Sequence, residues 1–370
     1  MTVYMILIFG IIAIAFILHP KASKDKNAFL WIVFFALTLV SGFRDYSVGN
    51  DTEEYVSMFD NIDLGISDSS RFETGFRDFL FLVHAFSHNP TVFLLVTSIL
   101  YIGPVFIFVY RYSEDPLLSV LLYIVLKHFF FGMTGIRQAL ATSFVLLSFF
   151  FLLRERSARN YCLGFLMLLL AISFHNLSYV AIIPFALWVV PRKIIVDKIT
   201  PSFVIKYSIA LSVAAYIMYS LIMSISGYLF PKYSYYFEGE YSDSNYSACL
   251  FKLLIQFAYL VVGVYYMNRN RKSAITDVDR LSLVMVMFSI IVGTLAVRME
   301  CWSRLTGLFS IYTALTWAPS FTQSIRNTTD RITLKISIFL LSFAYMIVTF
   351  IYRPEWDGVV PYAFKAIFSS

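Results

Sequence analysis

The chain has 370 residues, of which 59% are hydrophobic and only 14% are charged, and its formal net charge is +6. Soluble domains carry about 25% charged residues, so this composition excludes an ordinary soluble domain and indicates a polytopic membrane protein. The cysteines, Cys162, Cys249 and Cys301, lie in or beside apolar runs without metal-ligand spacing. We therefore predict no metal and no cofactor, and we expect no nucleic-acid partner.

Long apolar stretches follow one another along the chain. A hydrocarbon core about 30 Å thick requires about 20 helical residues, and fewer where neighbouring helices shelter the ends. By this measure we predict about twelve transmembrane helices in a single integral membrane domain, residues 1–370. They are 3–18, 28–42, 91–110, 117–131, 138–153, 161–173, 177–190, 203–223, 248–267, 281–297, 302–320 and 332–351.

A further apolar stretch, 75–87, is short and contains Arg77, Asp78 and His84. We predict an interfacial or re-entrant helix there, because only then do the basic clusters near residues 21–26, 154–159, 192–198, 269–272 and 326–331 lie on one side of the membrane. Lysine and arginine accumulate on the cytoplasmic side. This assignment places both termini and the loops 43–90 and 224–247 outside the cytoplasm.

The outer face then collects basic residues where they are normally scarce. These are Arg44, Arg71, Arg77, Arg137, Lys232, Arg298, Arg304 and Arg353. A bound anion explains this excess most simply. Carboxylates share the same face, so ion pairing is the alternative, and it is less favoured for Arg137, Arg298 and Arg304 because they lie at helix ends.

Arg137 stands out because it lies between two apolar runs, 117–131 and 139–153, just after Gly135. The pattern predicts two helices joined by a tight turn, with Arg137 in the first turn of the second helix. Unsatisfied N–H groups and the positive end of the dipole are found there. A phosphate or pyrophosphate fits that combination. The alternative is an arginine that snorkels to lipid headgroups.

Two further sets of polar residues belong to predicted outer loops. His175 lies in the turn 173–178 between two spans, where a histidine acts either as a base or as a helix cap. Tyr233, Tyr235 and Tyr236 lie in the loop 224–247. Their rings suit sugar binding, and they equally suit an interfacial aromatic belt.

Several motifs, taken together and in order, resemble the EpsG family over nearly the whole chain. They are Arg44-Asp45 running to Asp51-Thr52 and Tyr55, Glu73-Thr74-Gly75-Phe76, the 135–141 turn, Ser173-Phe174-His175 and Val360-Pro361-Tyr362. That family is related to the Wzy polysaccharide polymerases, which join lipid-linked oligosaccharide repeats outside the cytoplasm. The stretch 299–304 departs from the expected Glu-Arg pairing, so either Arg298 or Arg304 holds the family position.

The resemblance implies a GT-C-like fold and an inverting, metal-independent glycosyl transfer that polymerises an O-antigen, capsule or exopolysaccharide. Donor and acceptor would both be glycans on undecaprenyl pyrophosphate, in a multi-pass protein of the bacterial cytoplasmic (inner) membrane with its active site on the extracytoplasmic face. A chain-length regulator and a flippase are the expected protein partners. Arg44, Arg77, Arg137, Arg298 and Arg304 would bind the pyrophosphate.

The acceptor hydroxyl must also lose its proton, and the candidates for this step are His175, Asp45 and Glu73. Two other functions remain open. A transporter or flippase of lipid-linked sugars should place charges near mid-membrane and show two related halves, and neither feature is evident. A non-catalytic scaffold of an envelope complex would have no use for clustered outer arginines.

Overall fold

The structure is a computed structural model that describes residues 1–20, 23–62, 72–191, 193–229, 246–269 and 275–365. Within these residues the protein is all-helical, as predicted. The one β-type pairing in the described ranges is an isolated antiparallel bridge between Arg44 and Phe364.

The chain divides into two compact units, residues 1–183 with 335–370 and residues 184–334. The helices of the first unit are α1 (Thr2–Leu18), α2 (Ser23–Gly42), α3 (Thr52–Asp60), α4 (Thr74–Phe86), α5 (Pro90–Tyr112), α6 (Pro116–Val125), α7 (His128–Thr134), α8 (Ile136–Leu152) and α9 (Ala158–Phe174). Those of the second are α11 (Pro201–Ile217), α12 (Tyr219–Leu229), α13 (Tyr246–Arg269), α14 (Asp277–Arg298), α15 (Ser303–Tyr312) and α16 (Ala318–Gln323). The helices α10 (Ile182–Val189) and α17 (Thr328–Tyr352) contain residues of both units.

By length and composition, the described helices include five that can cross a membrane. They are Lys24–Gly42, Pro90–Tyr112, Tyr246–Arg269, Asp277–Arg298 and Thr328–Tyr352. Two bent pairs, α6 with α7 and α11 with α12, raise the number to seven if each pair is one span. The expected count of about twelve is not confirmed, although apolar helices form in each predicted stretch.

Across the described segments, fewer long helices are found than expected because several predicted spans are bent or short. The predicted span 117–131 bends by 48° between α6 and α7, and the predicted span 203–223 bends by 75° between α11 and α12. The predicted span 177–190 begins with a 3-10 turn at Asn176–Ala181. Helices of 17 residues such as α8 and α9 are only about 25 Å long, less than the thickness of a bilayer core.

Helix starts follow local sequence rules. Short polar side chains at the N-cap accept a hydrogen bond from the first turn, and proline is favoured at the next position because it lacks an N–H. Asn89, Asp115 and Thr200 cap α5, α6 and α11 in this way, and each is followed by proline. Thr276 and Asp279 form a reciprocal capping box at the start of α14.

The first unit brings three helix ends together. Helix α8 packs against α5 and α9, and α4 packs against α9 and α5. Gly75 in the first turn of α4 lies so close to α9 that an added Cβ would stand 2.8 Å from the carbonyl oxygen of Ser173. The starts of α4 and α8 therefore meet the end of α9, and polar residues of the predicted motifs lie there.

Candidate functional site around Arg137

Arg137 is held by protein groups on two edges and one face of its guanidinium. Its Nη1 lies 2.7 Å from Oε2 of Glu73, and its Nε donates to the hydroxyl of Tyr55 at 3.2 Å. The ring of Phe72 lies 4.2 Å from its Cζ. These contacts place the group as predicted, in the first turn of α8, but they pair it with a carboxylate. A snorkelling arginine would not be fixed in this way.

Among the described residues, these contacts engage Nε and Nη1 of the guanidinium. No protein partner of its Nη2 is found among the described residues. The side chain of Arg137 is 21% exposed, whereas that of Glu73 is 6% exposed. Within the described part of the chain, Nη2 therefore has no protein partner, and a terminal guanidinium nitrogen at a helix start is suited to binding an anion.

Glu73 occupies the N-cap of α4, but its side chain does not cap that helix. Its two oxygens bind elsewhere, because Oε2 contacts Arg137 and Oε1 accepts the backbone N–H of Asn176 at 3.0 Å. Burial raises the pKa of Glu73, but His175, Arg137 and the Asn176 N–H outweigh it and hold the pKa below its ordinary value. A carboxylate engaged on both oxygens with a lowered pKa is a poor general base.

His175 ends α9 and is buried, with 7% of its surface exposed. Its Nδ1 accepts the backbone N–H of Leu177 at 3.2 Å, so it caps the 3-10 turn that follows. In the neutral ring one nitrogen accepts and the other carries the proton. With Nδ1 as acceptor, Nε2 is a donor. This geometry favours the capping interpretation and does not offer Nε2 as a base.

An aromatic cluster packs beside these polar groups. The ring centroid of Tyr55 lies 6.2 Å from that of Phe72 and 5.5 Å from that of Phe76. Phe79 of α4 lies 5.8 Å from Phe174, which directly precedes His175. Rings at such distances attract one another and bury large apolar areas. The cluster fixes α3, α4 and α9 relative to one another and thereby fixes the three partners of Arg137.

Arg44 differs from the expectation of a pyrophosphate ligand. Only 1% of its surface is exposed, and its guanidinium donates to backbone carbonyls. Nε bonds to Val48 at 3.2 Å, and Nη2 bonds to Met133 at 3.1 Å and to the hydroxyl of Thr52 at 3.4 Å. Arg44 therefore joins the loop 43–51 to the end of α7 and has no access to a ligand in this conformation.

Asp45, the other predicted base in this loop, lies at the surface end of the motif. Its Oδ1 accepts the N–H and the hydroxyl of Ser47, at 3.1 and 2.8 Å. These hydrogen bonds, with a smaller contribution from Lys365, lower the pKa of Asp45. Asp45 is ionised near neutral pH and able to accept a proton, although its lowered pKa makes it a weak base.

The remaining predicted ligands are distributed more widely. Arg77 lies on α4, and its buried Nε has no hydrogen-bond partner in the described ranges. Arg298 and Arg304 belong to the second unit and are both exposed. The guanidinium of Arg298 contacts two tyrosine rings, with its Cζ 4.9 Å from Tyr216 and 4.6 Å from Tyr219.

The predicted sugar-binding tyrosines, Tyr233, Tyr235 and Tyr236, lie outside the described residues. Their predicted loop 224–247 is described only at its ends, where α12 extends to Leu229 and α13 begins at Tyr246.

Sequence reasoning missed two functional partners of Arg137. Tyr55 and Phe72 both contact the guanidinium, yet neither was a candidate site residue. A signal was present, because Tyr55 falls one helical turn after Asp51 in the first motif and Phe72 directly precedes Glu73. Aromatic residues beside charged motif residues are favourable partners for arginine, since its planar group stacks on their rings.

We expect the Glu73→Gln variant to lose about 2 kcal/mol of stability at pH 7, since breaking a partly buried ion pair is costly. Because the folded-state pKa of Glu73 is lowered, the contribution of the pair is present above pH 4.5, the ordinary value, and is lost as the pH falls through the folded pKa. Urea unfolding in detergent at pH 7 and pH 4 measures the loss of stability and its dependence on pH. Exposed Glu53→Gln is the control. A stability difference that is equal at both pH values would contradict the ionised pair.

Comparison with known proteins adds two relationships. A sequence model of the EpsG family matches residues 27–364, which include Arg44, Glu73, Arg137 and His175. The amylovoran biosynthesis protein AmsC of Erwinia amylovora is 30% identical over 197 residues. That alignment covers 49% of this chain and 51% of AmsC, so the chain spans about half the length of this curated relative. No solved structure matches the chain.

Proposed function

The chain belongs to the EpsG family, as its motifs indicated, and from this premise we propose that it is a polysaccharide polymerase. The observation that carries the proposal is the state of Arg137. Its guanidinium is oriented by Glu73 and Tyr55 at the start of α8, while its Nη2 has no partner among the residues that the structure describes and is suited to a ligand. The name of AmsC, an amylovoran biosynthesis protein, supports the same class of function.

The proposed reaction transfers a glycan from undecaprenyl pyrophosphate to a hydroxyl of a second lipid-linked repeat. The acceptor oxygen bonds to the anomeric carbon, the bond from that carbon to the pyrophosphate oxygen breaks, and its electron pair leaves with the pyrophosphate. Negative charge therefore grows on the leaving group in the transition state. Arg137 Nη2 and the N–H groups of the first turn of α8 stabilise that charge, which is the largest type of catalytic contribution.

The proton of the acceptor hydroxyl passes to a carboxylate, and we assign that role to Asp45. Glu73 is unsuited to it because both of its oxygens are engaged. Glu73 instead positions Arg137. His175 acts as an Nε2–H donor to the substrate, since its Nδ1 is bonded to Leu177. Arg77, whose buried Nε has no hydrogen-bond partner in the part of the chain that the structure describes, is a second candidate for a phosphate oxygen.

The setting we propose is that of the family. The apolar helices make the chain a membrane protein, and a GT-C-like arrangement with about twelve crossing segments would place the Arg137 site on the extracytoplasmic face of the bacterial cytoplasmic membrane. Within the second unit, Arg298 has Tyr216 and Tyr219 beside it, a combination of charge and rings that suits glycan binding. A flippase would supply the lipid-linked repeat, and a chain-length regulator would limit the product.

Purified protein in lipid vesicles tests the proposal. We expect it to convert a purified undecaprenyl-pyrophosphate-linked repeat into a ladder of polymers without added nucleotide sugar. Cells lacking the protein should carry single repeats. A transporter would instead move the lipid-linked repeat across the vesicle membrane and leave it unpolymerised, which would exclude the polymerase function.

A further inference from the structure

The C-terminal segment 353–365 lies along the loop 43–51 and is bonded to it at both ends. The hydrogen bonds are Gly49 N to Gly358 O (2.8 Å), Asn50 Nδ2 to Glu355 O (2.8 Å), Asp45 N to Ala363 O (2.9 Å) and Lys365 N to Phe43 O (2.9 Å). An added Cβ on Gly358, whose φ is +59°, would stand 2.0 Å from the Asn50 side chain. The segment and the loop thus form one closely fitted structure.

Asp357 of this segment also holds both ends of α7. Its carboxylate lies 2.6 Å from Nζ of Lys127, which directly precedes α7, and its carbonyl oxygen accepts the hydroxyl of Thr134, the last residue of α7. The ion pair is nearly buried, with side-chain exposures of 9% and 11%. Rings of Trp356 and Phe350 lie 5.3 and 5.9 Å from the Lys127 ammonium.

Lys127 occupies an unusual backbone position for a lysine. Its φ is 74°, in the left-handed region, where glycine is favoured. A buried ion pair is also poor support for stability alone, since apolar residues of similar size often serve as well. The presence of a lysine between α6 and α7 therefore indicates a functional reason for its charge. Ionisable residues among membrane helices generally mark functional sites or their supports.

Two paths lead from the ion pair to Arg137. Along the chain, α7 continues through Gly135 into the first turn of α8. Across the fold, the carbonyl oxygen of Met133 accepts Arg44 and the hydroxyl of Thr52 at 3.1 Å, and Thr52 begins α3, which carries Tyr55. Both the backbone of Arg137 and its Tyr55 partner are thereby fixed to the segment that Asp357 anchors.

We propose that the Lys127–Asp357 pair is a positioning element of the Arg137 site, which it serves by fastening the C-terminal segment and α7 to each other. This inference rests on the proposed function, because it assigns the pair to the same transfer reaction. Neither residue contacts substrate. The pair sets where the Arg137 guanidinium stands when charge develops on the leaving pyrophosphate, and misplacement by about 1 Å can reduce a rate by about a hundredfold.

The test uses Lys127→Met combined with Asp357→Leu, which removes both charges and leaves no unpaired buried ion. The matched control is Lys335→Met with Asp115→Asn, which removes the charges of another ion pair of the first unit, with 2.5 Å between Nζ and Oδ2, while asparagine keeps the N-cap of α6. The rate at which maleimide labels Val48→Cys, a buried position of the loop 43–51, measures how often this loop opens. This variant is made in a background where Cys162, Cys249 and Cys301 are replaced by serine. Transfer is read as kcat and donor KM in vesicles.

We expect Val48→Cys to label at least about tenfold faster in the test variant and kcat to fall at least about tenfold, with donor KM nearly unchanged. Neither value should change in the control. Joining cysteines placed at Asn50 and Glu355 with a short bis-maleimide should restore kcat, which a merely structural role would not predict.

Unchanged labelling, or rapid labelling with unchanged kcat, would overturn the positioning role while the polymerase function stands. If the parent protein itself transfers no glycan, the polymerase proposal fails instead, and with it the role of the pair in that reaction.

Discussion

Replacing Arg137 by alanine is expected to abolish polymer formation, with transfer per molecule of folded protein reduced by about a thousandfold. Loss of a preorganised charge donor to the leaving group has an effect of about this size. Because the charge on the pyrophosphate grows in the transition state, the loss should appear mainly in kcat and less in donor KM. Transfer assays in vesicles with a defined lipid-linked repeat measure both constants.

The Arg137→Lys variant separates bidentate binding from simple charge. A lysine keeps the charge beside Glu73, but it lacks the planar fork that binds Glu73, Tyr55 and a phosphate at once. We expect only about 1% of the transfer to remain, the loss of one such donor. Arg111→Lys, at an exposed arginine of α5, is the control and should be fully active. Near-normal transfer by Arg137→Lys would rule out bidentate binding by the Arg137 guanidinium.

The helices could be predicted from the sequence because they depend on local signals. Asn89 followed by Pro90, and Asp115 followed by Pro116, predict the starts of α5 and α6 from capping alone. The lengths were harder to predict. A lysine in the left-handed conformation breaks the span 117–131, and nothing in the local pattern indicates that Asp357, far along the chain, supports it there.

The sequence indicated candidate residues for the site but not the contacts between them. Glu73 and Arg137 are 64 positions apart, so a local pattern can show that each is unusual without showing that they touch. Arg44 is a second example of this limit. Its place in a motif indicated a ligand for phosphate, whereas tertiary packing buries it against the carbonyl groups of Val48 and Met133.

For His175, the two roles predict different results for two substitutions. Asparagine places an oxygen where Nδ1 accepts the Leu177 N–H, so it keeps the cap and removes the rest of the ring. Glutamine places an amide N–H near the position of Nε2. If His175 is a donor, we expect His175→Asn to reduce transfer by about a hundredfold and His175→Gln to keep transfer within about tenfold of the parent protein.

A general base gives a different pattern: neither amide accepts a proton, so both variants should be equally inactive. The parent rate would then also fall as the pH drops below about 6.5, where histidine ordinarily becomes protonated and can no longer act as a base. Transfer measured from pH 5 to pH 8 for the parent and both variants decides between the roles. Equal loss in both variants, together with an acid-side fall in the parent, would return His175 to the role of base and remove that role from Asp45.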